Sequence, residues 1–304
     1  MFTSTRIEHT GSYIEYRIEK LTGFRTRICP ERLKRGIGSV SLPTYPDDGC
    51  PFCPDRIEEA TPVFADGTRI RVGESLTFPN LYPYAVYHVV TAITRAHSVQ
   101  RFTTKQIVDA LKGQITALEN QEGYVSINWN FLPSAGASLA HPHLQGLCDS
   151  TPDTMPARYF TAGLPYFQSY GTNYFNDMKE YAEQSESDLP GTSLFWYAHP
   201  VPIGEREIRC ILPFTKIHEF HQVLGDFASD LVMILEFYRE LGTSAFNMAI
   251  FFAHQESRDH VSAFCSLISR INPNPQSTSD TAFMERLHLE PVILTLPEEL
   301  ASIW

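Results

Sequence analysis

The chain has 304 residues, of which 43% are hydrophobic and 19% charged, and its formal net charge is −11. This length and composition predict a globular protein of one large domain or two fused ones. The acidic balance disfavours a surface for nucleic acids or anionic membranes, because polyanions would be repelled at long range. The first residues do not resemble a signal peptide and no apolar run approaches the roughly 20 residues of a membrane span, so we expect a cytoplasmic protein.

The first candidate site in chain order is the cysteine pair Cys50 and Cys53. Six cysteines in the whole chain are far too few for a disulfide scaffold. In a reducing compartment a close pair is typical either of a metal site or of packed thiols, and the pair alone does not decide between them.

A strand, a helix and a second strand are predicted next. Residues 88–93 are β-branched and apolar, and residues 123–131 alternate as a strand does. Between them, residues 103–120 predict an amphipathic helix capped by Thr103 or Thr104. Its apolar residues recur at intervals of four and three: Ile107, Leu111, Ile115 and Leu118. We expect this helix to pack on a sheet.

The most informative stretch is a loop of small residues followed by a histidine motif. The loop contains Gly136, Ala137 and Ser138, and the motif reads His141-Pro142-His143-Leu144-Gln145. Small residues let backbone amides approach phosphate oxygens, and alternate side chains of an extended segment project to one face. Imidazole is a competent nucleophile at neutral pH, and its phosphoramidate is activated enough to pass the group on. The motif therefore favours His143 as a nucleophile, with a polar strand carrying two structural histidines as the alternative.

The later part of the chain repeats the order of strand, helix and strand. Residues 208–212 and 247–253 are predicted strands, and residues 227–241 are apolar at helical spacing. Residues 165–191, between the two copies, are rich in Tyr, Asn, Ser and Glu and predict a surface connection.

The two copies can be aligned by a histidine that each contains. Placing His97 on His218 gives an offset of 121 residues, and the same offset places Phe264 on His143. The second half is therefore predicted to be a degenerate copy that has lost the chemistry of the first.

Four separated motifs follow one another along the chain. They are the arginine pair Arg32 and Arg35, the CPxC run with Cys50 and Cys53, the segment Phe78-Pro79-Asn80, and Asn130 with the GxS loop of Gly136 and Ser138 before the HPHxQ run from His141 to Gln145. In their nature and order these motifs resemble those of the galactose-1-phosphate uridylyltransferase-like family of the histidine-triad superfamily, and the resemblance covers most of the chain. These matches indicate the family more strongly than they indicate the substrate.

The resemblance implies a role for each of these residues. His143 would be the nucleophile, and Gln145 would hydrogen-bond the phosphate of a covalent nucleotidyl-histidine. Asn80 would touch the nucleoside. The groups implied to hold phosphate oxygens or to neutralise their charge are Asn130, Ser138, the amides of Gly136 and Ala137, and the guanidinium groups of Arg32 and Arg35.

The resemblance also implies one structural zinc ion per chain. The implied ligands form a complete tetrahedral set with no open position: Cys50, Cys53, His97 and His141. Because only Pro142 separates His141 from His143, the metal would brace the nucleophile rather than activate water. The best-known branch of the family has a second metal site in its C-terminal half. We expect none here, and His254 either occupies the remaining histidine position of that site or is a core residue.

The implied fold is α+β, with two tandem histidine-triad-like halves, each an antiparallel sheet with a packed helix. We assign residues 1–164 to the half with the zinc and the nucleophile. Residues 165–304 are assigned to the degenerate half. The oligomeric state stays open, with a homodimer among the alternatives.

The implied activity is transfer of a nucleoside monophosphate from a nucleotide sugar to a sugar 1-phosphate through nucleotidyl-His143, as in galactose metabolism. A phosphorylase of an ADP-sugar or a dinucleoside polyphosphate, with inorganic phosphate as acceptor, shares these residues and stays open. A histidine-triad hydrolase is disfavoured, because the amide of Gln145 cannot act as an acid or a base. A non-catalytic, zinc-stabilised nucleotide-binding protein is the alternative from a different class.

Overall fold

The chain folds around two β-sheets. The structure is a computed structural model, and it describes residues 1–35, 45–253, 259–271 and 279–304. The strands are β1 (Phe2–His9), β2 (Ser12–Glu19), β3 (Arg25–Ile28), β4 (Ile70–Val72), β5 (Ser75–Pro79), β6 (Tyr87–Ala92), β7 (Tyr124–Phe131), β8 (His143–Asp149), β9 (Phe195–Ala198), β10 (Ile208–Ile211), β11 (Phe246–Phe251), β12 (Phe264–Ser269) and β13 (Val292–Ile293). The α-helices are α1 (Ile57–Ala60), α2 (Thr104–Leu118), α3 (Thr154–Tyr170), α4 (Tyr174–Gln184), α5 (Leu224–Glu240) and α6 (Pro297–Ser302).

The larger sheet has nine strands in the order β4-β5-β6-β8-β7-β11-β12-β10-β9, and all its neighbouring pairs are antiparallel. The smaller sheet has four strands in the order β1-β2-β3-β13, with β13 parallel to β3. Helices pack against the larger sheet. The α+β class expected from the sequence is therefore confirmed.

The helix predicted over residues 103–120 is α2, and Thr103 is its cap. The Thr103 hydroxyl accepts from the amide of Gln106 at 3.2 Å, and the Gln106 side chain accepts from the amide of Thr103 at 2.9 Å. This capping box satisfies amides that the first turn of a helix leaves unpaired. The strands predicted over residues 88–93 and 123–131 are observed as β6 and β7.

The two halves of the chain meet at a pair of equivalent residues. The order β6, α2, β7, β8 recurs as β10, α5, β11, β12. Where β7 pairs with β11, Asn128 lies opposite Ala249, which is its own counterpart at the offset of 121 residues. A local twofold axis therefore passes through this pair. The halves share one continuous sheet, because β7 and β11 would otherwise present unpaired edges.

The two faces of the larger sheet are covered differently. On one face α2 and α5 pack over both halves, and the core there includes Ile115, Ile127, Leu231 and Ile250. On the other face α3 and α4 cover the second half through an aromatic cluster that includes Phe264. The corresponding face of the first half lies outside this cluster and carries the histidine motif.

The segment 165–191, predicted as a surface connection, contains the end of α3 and all of α4. α4 buries Phe175 and Met178, so the polar composition of this segment conceals an amphipathic helix. α3 runs across the assigned boundary between residues 164 and 165, and that boundary stays a prediction. Within the described ranges, no helix is both long enough and apolar enough to cross a membrane.

Candidate active site and metal centre

The histidine motif leads into a strand near the centre of the larger sheet. His143 begins β8, which pairs with β6 on one side and β7 on the other. Leu144 belongs to the core under α2, and a Cβ atom on Gly146 would collide with Gln114 of that helix. Side chains alternate along a strand, so His143 and Gln145 project from the opposite face.

One ring nitrogen of His143, Nδ1, is hydrogen-bonded, and the other, Nε2, has a free lone pair. Its Nδ1 lies 2.8 Å from the carbonyl oxygen of His141 and donates to it, so the neutral ring has its lone pair on Nε2. Burial lowers the pKa of His143, with the hydrogen bond to the His141 carbonyl acting in the opposite direction. The ring of Phe52 packs edge-on against the imidazole at a centroid separation of 5.5 Å. A buried neutral imidazole is the form that can act as a nucleophile.

Four side chains next to the motif converge on one point. They are Cys50, Cys53, His97 and His141, whose ligand atoms all lie within 4.8 Å of one another. Sγ of Cys50 is 3.7 Å from Nδ1 of His141, and Sγ of Cys53 is 3.5 Å from Nδ1 of His97. Zinc bonds of about 2.3 Å to sulfur and about 2.05 Å to nitrogen give an S···N separation of about 3.6 Å in a tetrahedron. The four residues therefore fit a tetrahedral Cys2His2 metal site.

His141 joins this cluster to His143. Its Nε2 donates to the carbonyl oxygen of Thr94 at 2.8 Å, which leaves Nδ1 as the atom that faces the cysteines. Burial lowers the pKa of His141, while burial and the neighbouring Cys50 raise the pKa of Cys53 to about 11. A bound cation favours the thiolate, which is the form of cysteine that binds metals. Because the carbonyl of His141 accepts from His143, fixing His141 also fixes the His143 ring.

Gln145 has a side-chain oxygen that accepts two hydrogen bonds. The hydroxyl of Tyr84 donates to it at 2.7 Å, and Nε2 of His88 donates at 3.1 Å. Asn80 contacts the same histidine, with its Nδ2 3.2 Å from Nδ1 and 3.0 Å from Nε2 of His88. The structure thus brings the predicted residues Asn80 and Gln145 into contact with one imidazole ring.

The loop of small residues is a tight turn that follows β7. Residues Pro133–Ala135 form one 3-10 turn, and Gly136 ends it with a φ of 88°, which glycine adopts without strain. The amides of Gly136 and Ala137 donate to carbonyl oxygens of the same turn at 2.9 and 3.3 Å. Ser138 is exposed, and its hydroxyl bonds to no residue in the described ranges. A role for these groups toward phosphate stays a prediction.

Asn130 is tied to this turn by a residue of the second half. Nδ2 of Asn247 donates to Oδ1 of Asn130 at 2.6 Å and to the carbonyl oxygen of Ala135 at 2.8 Å. Oδ1 of Asn247 in turn accepts from Arg270 at 2.7 Å. The second half therefore helps to shape the loop that precedes the histidine motif.

Arg32 lines a cavity of about 700 Å³ that also contains Arg27 and Arg270. In the described part of the chain, no hydrogen bond or ion pair joins Arg32 to the histidine motif. Arg35 ends the 3-10 helix that begins at residue 30, and its side chain lies outside what is described. His254, a candidate for a second site, also lies outside the described residues.

Comparison with known proteins shows which solved structures share this fold. No family model matches the chain. An uncharacterised protein of Archaeoglobus fulgidus is 29% identical over 269 residues, which is 83% of this chain and 79% of the relative. The structure of ADP-glucose phosphorylase from Arabidopsis thaliana, with bound ADP-glucose, matches with a TM-score of 0.74 and 19% identity. The match covers 95% of this chain and 98% of that protein. The structure of a GalT-like protein from the same plant has a TM-score of 0.73 and 20% identity, and the match covers 95% of this chain and 97% of that protein. The structure of a mutant uridylyltransferase has a TM-score of 0.70 and 16% identity, and the match covers 94% of this chain and 95% of that protein.

The chain has the fold of these proteins. The uridylyltransferase-like fold that the sequence motifs implied is therefore confirmed, and it extends over almost the whole chain.

Within this uridylyltransferase-like fold, the second half places a phenylalanine where the first half has His143. Phe264 is completely buried and packs against Tyr159 of α3 and Phe175 of α4, with ring centroids 5.1 and 5.4 Å away. The face of the second half that corresponds to the candidate site is thus filled by aromatic side chains. Hydrophobic packing occupies the position that His143 has in the first half.

Sequence reasoning missed Tyr84, His88 and Asn247. His88 begins a predicted apolar strand, and a histidine at that position is a signal that could have drawn attention to it. Tyr84 and Asn247 have no local signal, because their partners Gln145 and Asn130 are 61 and 117 residues away along the chain.

Proposed function

We propose that the chain is a nucleotidyltransferase that carries a nucleoside monophosphate on His143 from a nucleotide sugar to a sugar 1-phosphate. The observation that carries this proposal is the state of the His143 ring. Nδ1 donates to the carbonyl oxygen of His141 at 2.8 Å, which leaves the lone pair of Nε2 for attack on phosphorus. Gln145 projects from the same face of β8 two residues further on.

The reaction consists of two displacements at one phosphorus atom. In the first, Nε2 of His143 attacks the α-phosphorus, and the bond from that phosphorus to the oxygen of the departing sugar 1-phosphate breaks. The imidazole gains positive charge as the P–N bond forms, and the carbonyl of His141 stabilises this charge through Nδ1–H. In the second, an acceptor phosphate oxygen attacks the phosphorus, the P–N bond breaks, and the neutral ring returns.

We propose zinc as the ion for the Cys2His2 cluster. When bound there with four protein ligands, zinc supplies rigidity rather than an activated water. His141 passes that rigidity to His143, because its ring faces the cysteines and its carbonyl accepts from the nucleophile.

Gln145 supports transfer over hydrolysis. Its amide can donate a hydrogen bond to a phosphate oxygen, but it has no titratable proton near neutral pH. A water molecule beside the nucleotidyl-histidine therefore finds no base at this position, and the intermediate persists until a phosphate acceptor arrives. The remaining proposed contacts to substrate are Arg32, Arg35, Asn80, Asn130, Gly136, Ala137 and Ser138.

A second candidate is a phosphorylase, in which inorganic phosphate takes the nucleotide from His143. The observation that favours it is the likeness in fold to ADP-glucose phosphorylase, at a TM-score of 0.74. The two candidates share the first displacement and differ in the acceptor of the second.

Trapping of label on the protein tests both candidates. The protein is incubated with UDP-, ADP- and GDP-sugars that carry ³²P at the α-phosphate and is then denatured at alkaline pH, which preserves phosphohistidine. We expect bound label on the wild-type protein and on the control His221→Ala, which replaces an exposed histidine. We expect none on His143→Ala.

A chase with unlabelled acceptor separates the candidates. Labelled nucleotide sugar after addition of a sugar 1-phosphate supports the transferase, and labelled nucleoside diphosphate after addition of orthophosphate supports the phosphorylase. Equal label on His143→Ala and wild type, or no label from any of the nucleotide sugars, contradicts the proposed function.

A further inference from the structure

The orientation of the Gln145 amide is determined by a network that begins at a backbone donor. The amide N–H of Tyr84 lies 3.4 Å from Nδ1 of His88, and a backbone N–H can only donate. Nδ1 of His88 is therefore an acceptor, so a neutral ring carries its proton on Nε2. The side-chain nitrogen of Asn80 lies 3.2 Å from Nδ1 and 3.0 Å from Nε2, and with this tautomer it donates to Nδ1. Burial lowers the pKa of His88, which favours that neutral ring.

The protonated Nε2 of His88 then determines which end of the Gln145 amide it meets. Nε2 lies 3.1 Å from Oε1 of Gln145, and the hydroxyl of Tyr84 lies 2.7 Å from the same oxygen. Both contacts are satisfied when the side-chain oxygen of Gln145 accepts. Within the described ranges no residue bonds to Nε2 of Gln145, so its two N–H groups are available as donors.

Tyr84 and His88, which supply these two donors, belong to a loop over residues 80–88 that is held at both ends by hydrogen bonds from backbone amides. The amide of Asn80 donates to the carbonyl oxygen of His88 at 2.9 Å, and the amide of Val86 donates to Oδ1 of Asp149 at 2.9 Å. The ring of Tyr84 packs edge-on against His88 with a centroid separation of 4.4 Å. Although 69% of Tyr84 is exposed, its hydroxyl is thus held at Gln145 by contacts at both ends of the loop.

We propose that Tyr84 and His88 are positioning residues that hold the side-chain oxygen of Gln145 so that its N–H groups face the phosphate on His143. This rests on the proposed function. With the amide reversed, the oxygen of Gln145 would face the phosphate oxygens, and two lone-pair-bearing groups repel one another. The two donors therefore select the orientation that stabilises negative charge during both displacements.

The orientation of Gln145 can be measured without substrate. In protein labelled with [¹⁵N]glutamine, the side-chain amide resonance of Gln145 is assigned by its absence from Gln145→Glu. We expect Tyr84→Phe, which removes one hydroxyl group, to move this resonance. His88→Leu should move it as well. The matched control Tyr82→Phe removes a hydroxyl from the same loop that bonds to no described residue, and it should leave the resonance in place. An unchanged Gln145 resonance in both Tyr84→Phe and His88→Leu overturns the proposal.

The kinetic consequence is measured as the single-turnover rate at which His143 acquires label. We expect Tyr84→Phe to lower the maximal rate by up to about 100-fold, the cost of misplacing a catalytic group by about 1 Å. The concentration of nucleotide sugar that gives half the maximal rate should stay nearly constant. His88→Gln, which keeps a donor toward Gln145, should retain most of the rate that His88→Leu loses.

A double substitution separates positioning from direct contact with substrate. If Tyr84 acts through Gln145, Tyr84→Phe causes no further loss in a Gln145→Ala background. An equal loss in both backgrounds means that Tyr84 touches the substrate itself, and the proposal fails. If the wild-type protein acquires no label from any nucleotide sugar, the proposed function fails, and the Gln145 resonance still decides whether Tyr84 and His88 hold the amide.

Discussion

Replacement of Cys50 by serine tests the metal centre through one of its four ligand atoms. Sγ of Cys50 lies 3.7 Å from Nδ1 of His141, close to the S···N edge of a zinc tetrahedron. A serine hydroxyl is a much poorer ligand than a thiolate, and it leaves three protein ligands around the ion. We expect Cys50→Ser to be unable to retain the proposed zinc ion.

The size of the effect follows from linkage between binding and folding. An ion present at 100 times its dissociation constant stabilises the folded state by about 2.7 kcal/mol. An unfolding entropy of about 2.1 cal/mol/K per residue makes 1 kcal/mol equivalent to roughly 1.6 °C in melting temperature for a chain of 304 residues. Loss of the ion should therefore lower the melting temperature by about 4 °C. It should also slow labelling of His143, because His141 loses its anchor.

The assay is metal analysis of purified protein together with thermal unfolding with and without added zinc. The matched control is Cys148→Ser, which alters a buried cysteine of β8 outside the ligand cluster. We expect the control to lose some stability through packing and to retain one zinc per chain. Full zinc content in Cys50→Ser would show that Cys50 is not a ligand. The assignment of a tetrahedral Cys2His2 site would then be wrong.

Three further substitutions test the proposed nucleophile His143, the amide of Gln145 and the packing of strand β8, which carries both. His143→Gly should abolish turnover with zinc content unchanged, and added imidazole should restore part of the activity; a near-normal rate removes His143 from the mechanism. Gln145→His should increase release of nucleoside monophosphate in the absence of acceptor, because an imidazole can activate water; equal release, measured by chromatography, means that the amide does not protect the intermediate. Gly146→Ala should lower the free energy of unfolding by about 1–3 kcal/mol, because its Cβ overlaps Gln114 of α2. The control Gly225→Ala places its Cβ in open space, and equal stability of the two variants in denaturant titrations would contradict the packing argument.

Patterns within a few residues predicted the strand, helix and strand of each half. The helix predicted over residues 103–120 is observed as Thr104–Leu118, because its apolar periodicity and its cap at Thr103 are both local properties. The offset of 121 residues between His97 and His218 predicted the repeat. In the structure, residues separated by this same offset, Asn128 and Ala249, lie opposite each other where the two halves pair. The segment 165–191 was the exception, since the apolar residues of α4 are sparse and become visible as one face only when the helix packs.

The sequence by itself determined the strand–helix–strand order of each half and the histidine motif of the candidate site, because a motif such as His141 to Gln145 places two side chains on one face of a strand by alternation alone. Only the tertiary structure decided what surrounds them. The contacts of Gln145 with Tyr84 and of Asn130 with Asn247 join residues 61 and 117 positions apart. Such contacts depend on the order and register of strands in the nine-stranded sheet, and that register is set by burial across the whole sheet rather than by neighbours in the chain.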